Sequence, residues 1–107
     1  MIMRIWHGVT AAKDADEYAD YVKQTGVKMY PKAKGHRGTF LLRRIQGDRA
    51  EFYLMSLWDS MAAVRGFSGP DVDKAKYPSP RDRAFLLKLE PLVAHFEVLA
   101  APDNTKP

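Results

Sequence analysis

The feature that most constrains the fold is the stretch from residue 49 to residue 69, RAEFYLMSLWDSMAAVRGFSG. Its first ten residues are dense in aromatic and aliphatic side chains, a length and composition typical of a strand buried on both faces. Asp59 follows and is predicted to be a helix N-cap, because its carboxylate can accept the unpaired amide protons of a first turn. A short helix ending near Gly66 or Gly69 is therefore expected, and the rest of the chain must cover the central strand.

Three further strands are predicted around this central strand, over residues 2–9, 39–46 and 93–99. Gly47 and Asp48 separate the second strand from the central strand by two residues, which is the spacing of a tight antiparallel hairpin. Because these two strands are adjacent in sequence, their pairing is the most local one in the predicted sheet.

Helices are predicted from Thr10 or Asp14 to about Thr25 and over residues 81–89. The segment 31–38 reads as a loop, and prolines at positions 70, 78 and 80 exclude long regular structure between residues 68 and 80. With right-handed crossovers, this order predicts an α+β, ferredoxin-like fold: a four-stranded antiparallel sheet with helices on one face and the first and third strands central. Residues 1–99 are expected to form one domain, followed by a polar tail at 100–107.

Apolar side chains occur on both faces of the predicted sheet. Along the first strand, Ile2 and Trp6 alternate with Met3, Ile5 and Val9. Helices on one face would leave the other face exposed over more apolar area than a monomer normally tolerates. A homodimer that packs sheet against sheet is therefore predicted.

Composition and charge narrow the classes of partner. The chain has 17 Lys and Arg against 13 Asp and Glu, and its lack of cysteine excludes disulfides and thiolate metal sites and fits a reducing cytoplasm. No apolar run reaches membrane-spanning length, and the N-terminus is too polar for a signal peptide, so a cytoplasmic protein without a membrane partner is expected. The third strand, AEFYLMSLW, lacks the glycine- and aromatic-rich RNA-binding motif, so no nucleic-acid partner is expected.

Four strings carry a family resemblance: RIWHG at 4–8, SLWDS at 56–60, FSGPDVDKAKY at 67–77 and LEPLVAHFEV at 89–98. Through them the chain resembles the antibiotic biosynthesis monooxygenase-like group over residues 3–99. The resemblance implies a dimeric α+β barrel. It also implies one of several activities, because the group includes cofactor-independent oxygenases of aromatic polyketides and quinone-like compounds, haem-degrading enzymes and proteins of no known reaction.

Within that group, the haem-degrading branch uses an Asn, a Trp and a His at positions matched here by His7, Phe67 and Tyr77. Since none of the three residue types is retained, the resemblance favours a cofactor-independent monooxygenase acting on a small aromatic, polyketide-like or quinone-like substrate. The apolar pocket is expected between helices and sheet, with no cofactor and no metal. The alternative is a non-catalytic small-molecule or haem-binding dimer on the same fold.

Candidate catalytic residues are His7 and Tyr77. The imidazole of His7 could take a proton from a phenol or enol near neutral pH, although a core histidine with a structural hydrogen bond is the alternative interpretation. Tyr77 lies in the proline-broken region and is expected to donate a hydrogen bond to the substrate. Because Trp6 and His7 point to opposite faces, only one of them can belong to the pocket.

Candidate substrate-binding residues are Trp58, Phe67 and Phe85 as apolar wall, with Arg83 as a hydrogen-bond donor. Trp58 has a structural alternative as a core anchor, and Arg83 as a surface charge. A metal site of His7, His95 and Glu97 would require the two histidines to face each other across the first and last strands, and the sequence leaves that register open.

Overall fold

The computed structural model describes residues 1–28 and 30–102, so most of the predicted tail, at 103–107, lies outside the described residues. Within the described part, one sheet has the order β2-β3-β1-β4 with every neighbouring pair antiparallel. Its strands are β1 (Ile2–Ala11), β2 (His36–Gln46), β3 (Arg49–Trp58) and β4 (Ala94–Glu97). The predicted α+β fold, with the first and third strands central, is confirmed.

The helices are α1 (Ala15–Val22), α2 (Met61–Ser68) and α3 (Pro80–Phe85), and a π-helical turn at Lys23–Val27 prolongs α1. Short 3-10 turns lie at Ala12–Asp14 and Tyr30–Lys32. Residues 69–79 connect α2 to α3 without a helix or named strand, as the prolines predict.

The predicted N-cap of α2 is wrong by one residue. Ser60 is the cap, and its Oγ accepts a hydrogen bond from the Ala63 amide at 3.2 Å. The carboxylate of Asp59 instead accepts a hydrogen bond from Nε of Arg37. Both Asp and Ser are good caps, so the tertiary contact to Arg37 decides between them.

The predicted helix over 81–89 is too long, because α3 ends at Phe85. Leu86 pairs with Thr10 in an isolated bridge, and the Leu87 amide donates to the Val9 carbonyl at 2.9 Å. The chain after α3 therefore satisfies its backbone on the free edge of β1 before it enters β4, which starts at Ala94 rather than at Val93.

The two faces of the sheet differ in their cover. Helices pack over the face that carries Ala50, Phe52 and Trp58, which are 0% exposed. On the opposite face, which we call the open face, Phe40, Leu42 and Phe96 remain about half exposed, at 50%, 46% and 54%. The predicted arrangement, with helices on one face and apolar groups on both, is what the structure shows.

Candidate functional site

A cavity of about 520 Å³ lies between the helix-covered face of the sheet and the segment that connects α2 to α3. Its volume is in the range of small-molecule sites. Aromatic side chains from β1, α1, α2 and the connecting segments line it: Trp6, Tyr18, Tyr21, Tyr30, Phe67 and Tyr77. Flat aromatic walls of this kind suit a flat apolar ligand, because they bury its area at little cost in conformational entropy.

The Trp6 indole reaches the cavity because Gly8 leaves room for it. Trp6 and Gly8 are on the same face of β1, and a Cβ on Gly8 would lie only 2.5 Å from Cζ2 of the indole. The indole Nε1 donates to the Tyr77 hydroxyl at 2.9 Å, and that hydroxyl donates its proton to the Glu90 carbonyl at 2.7 Å. These bonds tie the proline-broken segment to the sheet and fix one wall of the cavity.

Arg4 also lines the cavity, two residues before Trp6 on the same face, and is 8% exposed. Its Nη1 donates to the Val72 carbonyl at 2.6 Å and contacts Nε2 of His95 at 2.9 Å. Since a guanidinium can only donate, His95 accepts through Nε2 and donates through Nδ1 to the Asp73 carboxylate at 3.1 Å. Asp73 and His95 thus hold Arg4 in position.

Asp82 is the acidic residue among those that line the cavity in the described part of the chain. Burial raises its pKa above the ordinary range, against the opposing effect of a hydrogen bond from Tyr21. Burial also raises the pKa of the Tyr18, Tyr30 and Tyr77 phenols, so these hydroxyls stay protonated near neutral pH. Besides Asp82, the charged side chains that line the cavity are Arg4 and Lys76, and Nζ of Lys76 donates a hydrogen bond to the Ser68 carbonyl.

His7 lies on the open face of the sheet, so the cavity contains Trp6 and not His7, the reverse of the expected placement. Its Nε2 contacts Oε2 of Glu51 at 2.8 Å and its Nδ1 contacts Oε2 of Glu90 at 2.5 Å. The imidazole is thus clamped between two carboxylates, the second of which belongs to the segment that precedes β4. A catalytic role for His7 would require substrate on the open face.

The other predicted site residues divide between the cavity wall and its surroundings. Phe67 and Tyr77 line the cavity, although the Tyr77 proton is already donated to a backbone carbonyl. Trp58 is 0% exposed and lies behind the wall, with its ring centroid 5.0 Å from that of Phe67 and its Nε1 donating to Ser56. Phe85 packs behind the wall against Tyr18, with 5.3 Å between the two ring centroids. Arg83 is exposed on α3 outside the lining.

The two histidines considered for a metal site point to opposite faces. In the β1–β4 register His95 pairs with Arg4, which places it on the helix-covered side. Among residues 1–28 and 30–102, no three His, Cys, Asp or Glu side chains are arranged so that they could hold a metal ion. Within the same residues, no helix is long and apolar enough to cross a membrane.

Sequence reasoning missed Arg4 and Asp82 as cavity residues. The alternation along β1 already places Arg4 and Trp6 on one face, and an arginine in a central strand is itself unusual, so that signal was present. The sequence contains no comparable signal for Asp82, because the direction in which its side chain points depends on where α3 ends.

No family model and no curated protein matches the chain. Among solved structures, it resembles the haem degrader MhuD of Mycobacterium tuberculosis with two haems bound in its active site: TM-score 0.60, 14% identity, 95% of this chain and 99% of that chain covered. It likewise resembles a single-residue mutant of MhuD with two manganese protoporphyrin IX molecules per active site: TM-score 0.62, 17% identity, 95% and 98% covered. At these identities the likeness is one of fold, and it agrees with the fold implied by the resemblance to the antibiotic biosynthesis monooxygenase-like group.

Proposed function

We propose that the protein binds a small aromatic, polyketide-like or quinone-like molecule in the cavity and oxidises it as a cofactor-independent monooxygenase. The observation that supports this function is the aromatic lining of a cavity of about 520 Å³ that also contains the carboxyl of Asp82. A flat phenol or enol would stack on Trp6 and Tyr77, with its ionisable oxygen within the cavity.

In the proposed reaction the substrate supplies all the electrons. A CH₂ or ring C–H activated by ionisation of a neighbouring phenol or enol is converted to C=O, one atom of O₂ entering the substrate. The other oxygen atom leaves as water with two hydrogens from the substrate. The protein binds the substrate, accepts its proton and excludes bulk water.

We assign the proton acceptor to Asp82 rather than to His7. Asp82 lines the cavity, and its raised pKa brings it closer to that of an ionising phenol or enol. His7 lies across the sheet between two carboxylates. Arg83, the next residue on α3, is exposed outside the lining and provides a matched control.

Oxygen uptake tests this proposal. With an anthrone as the substrate, we expect protein-dependent consumption of one O₂ per quinone formed. Asp82→Asn should lower the rate by about 10²-fold or more, because general-base catalysis contributes on that order, and Arg83→Gln should leave it unchanged. Equal rates for wild type and Asp82→Asn would refute the assignment of the base, and an absence of oxygen uptake with anthrones, naphthols and hydroquinones would refute the activity.

A second candidate function, haem binding with or without degradation, is favoured by the fold likeness to MhuD over 95% of the chain. A hemin titration distinguishes the two. Saturable binding with a shifted Soret band supports haem handling, and loss of that band under reductant and oxygen supports degradation. Hemin absorbance that neither saturates on titration nor shows a shifted Soret band would refute haem binding.

We further propose that the open face is the interface of a homodimer, as its apolar side chains support. Phe40 is half exposed on that face, on the edge strand β2, where it pairs with Met55 of the central strand β3. Phe40→Glu should give a folded monomer by sedimentation velocity, whereas Lys13→Glu, at an exposed position away from the face, should remain dimeric. A monomeric wild type at micromolar concentration would contradict this proposal.

A further inference from the structure

Arg4 is a buried cation without a direct carboxylate partner. Its side chain lines the cavity, the residue is 8% exposed, and within the described residues it takes part in no salt bridge. Buried charges in proteins are normally paired, because an unpaired one loses its hydration without compensation. The carboxylate of Asp73 is linked to Arg4 through the ring of His95.

One edge of the Arg4 guanidinium is unused. Among the described residues, the guanidinium makes two hydrogen bonds, both through Nη1, to the Val72 carbonyl and to His95. Within the described residues, Nε and Nη2 have no hydrogen-bond partner. Both atoms therefore remain accessible to solvent, because no fully buried side-chain nitrogen or oxygen in this part of the chain lacks a partner. The N–H groups on these two nitrogens form a planar fork whose spacing matches the two oxygens of a carboxylate.

The guanidinium is also held in a fixed orientation. Asp73 fixes the tautomer of His95, and His95 with the Val72 carbonyl holds Nη1 from two directions. A preorganised fork loses little side-chain entropy when a ligand arrives, so its hydrogen bonds contribute more to affinity.

We propose that Arg4 is the carboxylate subsite of the cavity, and that the ligand is a flat aromatic molecule carrying a carboxylate group. This inference rests on the proposed function, because it takes the cavity to be the ligand site. The carboxylate accepts two hydrogen bonds from the free fork of Arg4 while the aromatic body lies against Trp6 and the neighbouring tyrosines. A small aromatic acid and the propionate of a porphyrin present the same chemistry.

Wild-type protein provides the first test, by calorimetric titration of anthraquinone-2-carboxylate and of anthraquinone-2-carboxamide. The two probes have nearly the same shape, and the carboxamide lacks the charge and one acceptor. We expect the carboxylate to bind about 10- to 100-fold more tightly, the range for a charge-assisted hydrogen-bonded pair. Protoporphyrin IX and its dimethyl ester form a second pair, and a preference confined to that pair would identify a porphyrin propionate as the source of the carboxylate.

Variants provide the second test. Arg4→Lys keeps the charge and loses the fork, and Arg4→Met loses both, so both should remove most of the preference for carboxylate over carboxamide. Arg83→Met removes one positive charge outside the cavity and should preserve that preference.

The outcomes separate the two proposals. If carboxylate and carboxamide bind with equal affinity in the wild type, the cavity is a ligand site but the carboxylate subsite is refuted. If neither member of either pair binds, the aromatic-ligand function itself fails and the inference fails with it. A preference that persists in Arg4→Met would place the carboxylate elsewhere and also refute the proposal.

Discussion

Replacing Gly8 by alanine tests how the cavity wall is built. A Cβ at this position would lie 2.5 Å from Cζ2 of Trp6 and 3.0 Å from Cδ2 of Leu86, whereas non-bonded carbons prefer about 3.5–4.0 Å. The indole must therefore move by about 1 Å or more, and its hydrogen bond to Tyr77, 2.9 Å long, is lost. Overpacking costs about 1–3 kcal/mol and the lost hydrogen bond about 1 kcal/mol, so we expect Gly8→Ala to lower the free energy of unfolding by about 2–4 kcal/mol.

Urea unfolding followed by circular dichroism measures this change, which corresponds to a fall in Tm of at least about 8 °C for a domain of this size. The matched control is Gly66→Ala in α2, where an added Cβ meets no atom within 4 Å among the described residues. There we expect a gain of up to about 1 kcal/mol from helix propensity. If Gly8→Ala were as stable as wild type, the packing of Trp6 over Gly8 described above would be wrong.

Three further substitutions test the hydrophobic core, the cavity wall at Tyr77, and the hydrogen-bonded group of Arg4, His95 and Asp73. Phe52→Ala, at a fully buried position of β3, should cost about 3–5 kcal/mol in urea unfolding with an unchanged m-value. Tyr77→Phe removes the hydroxyl that links the Trp6 indole to the Glu90 carbonyl, and it should lower the free energy of unfolding by about 1–2 kcal/mol in the same assay. Burial, together with the charge of Arg4, lowers the pKa of His95 below its ordinary 6.5. At a pH between the lowered pKa of the folded protein and 6.5, the unfolded chain binds more protons, so the free energy of unfolding should fall as pH falls through 6.5. His95→Gln should flatten this dependence of stability on pH. Equal slopes in wild type and His95→Gln would contradict the prediction.

The sheet could be predicted from sequence because its determinants are local or follow from chain order. The ten-residue apolar run ending at Trp58 and the two-residue turn at Gly47 define the β2–β3 hairpin, and Gly47 adopts φ +60° as that turn requires. Right-handed crossovers then leave one order for the remaining strands. The helix bounds were less predictable, because residues 86–87 are recruited by the free edge of β1, a tertiary effect without a local signal.

The site was harder to predict than the fold, for a physical reason. Strand β1 carries large side chains on both faces, so alternation separates Trp6 from His7 without showing which of them the helices cover. A mid-strand histidine suggested chemistry, but its two glutamate partners come from β3 and from residue 90, far apart in sequence. The arginine at position 4 was the better indicator, since a cation in a central strand needs a compensating partner.

The central claim is that the cavity on the helix-covered face is the ligand site. The sequence has two tryptophans, so a ¹⁵N spectrum contains two indole signals, which Trp6→Phe would assign. On titration with anthraquinone-2-carboxylate, we expect the Trp6 indole signal to shift progressively to saturation, while the Trp58 signal, from a residue that is 0% exposed behind the wall, shifts little. Saturable shifts confined to open-face residues such as Tyr53 and Met55, with the Trp6 signal unchanged, would contradict the claim.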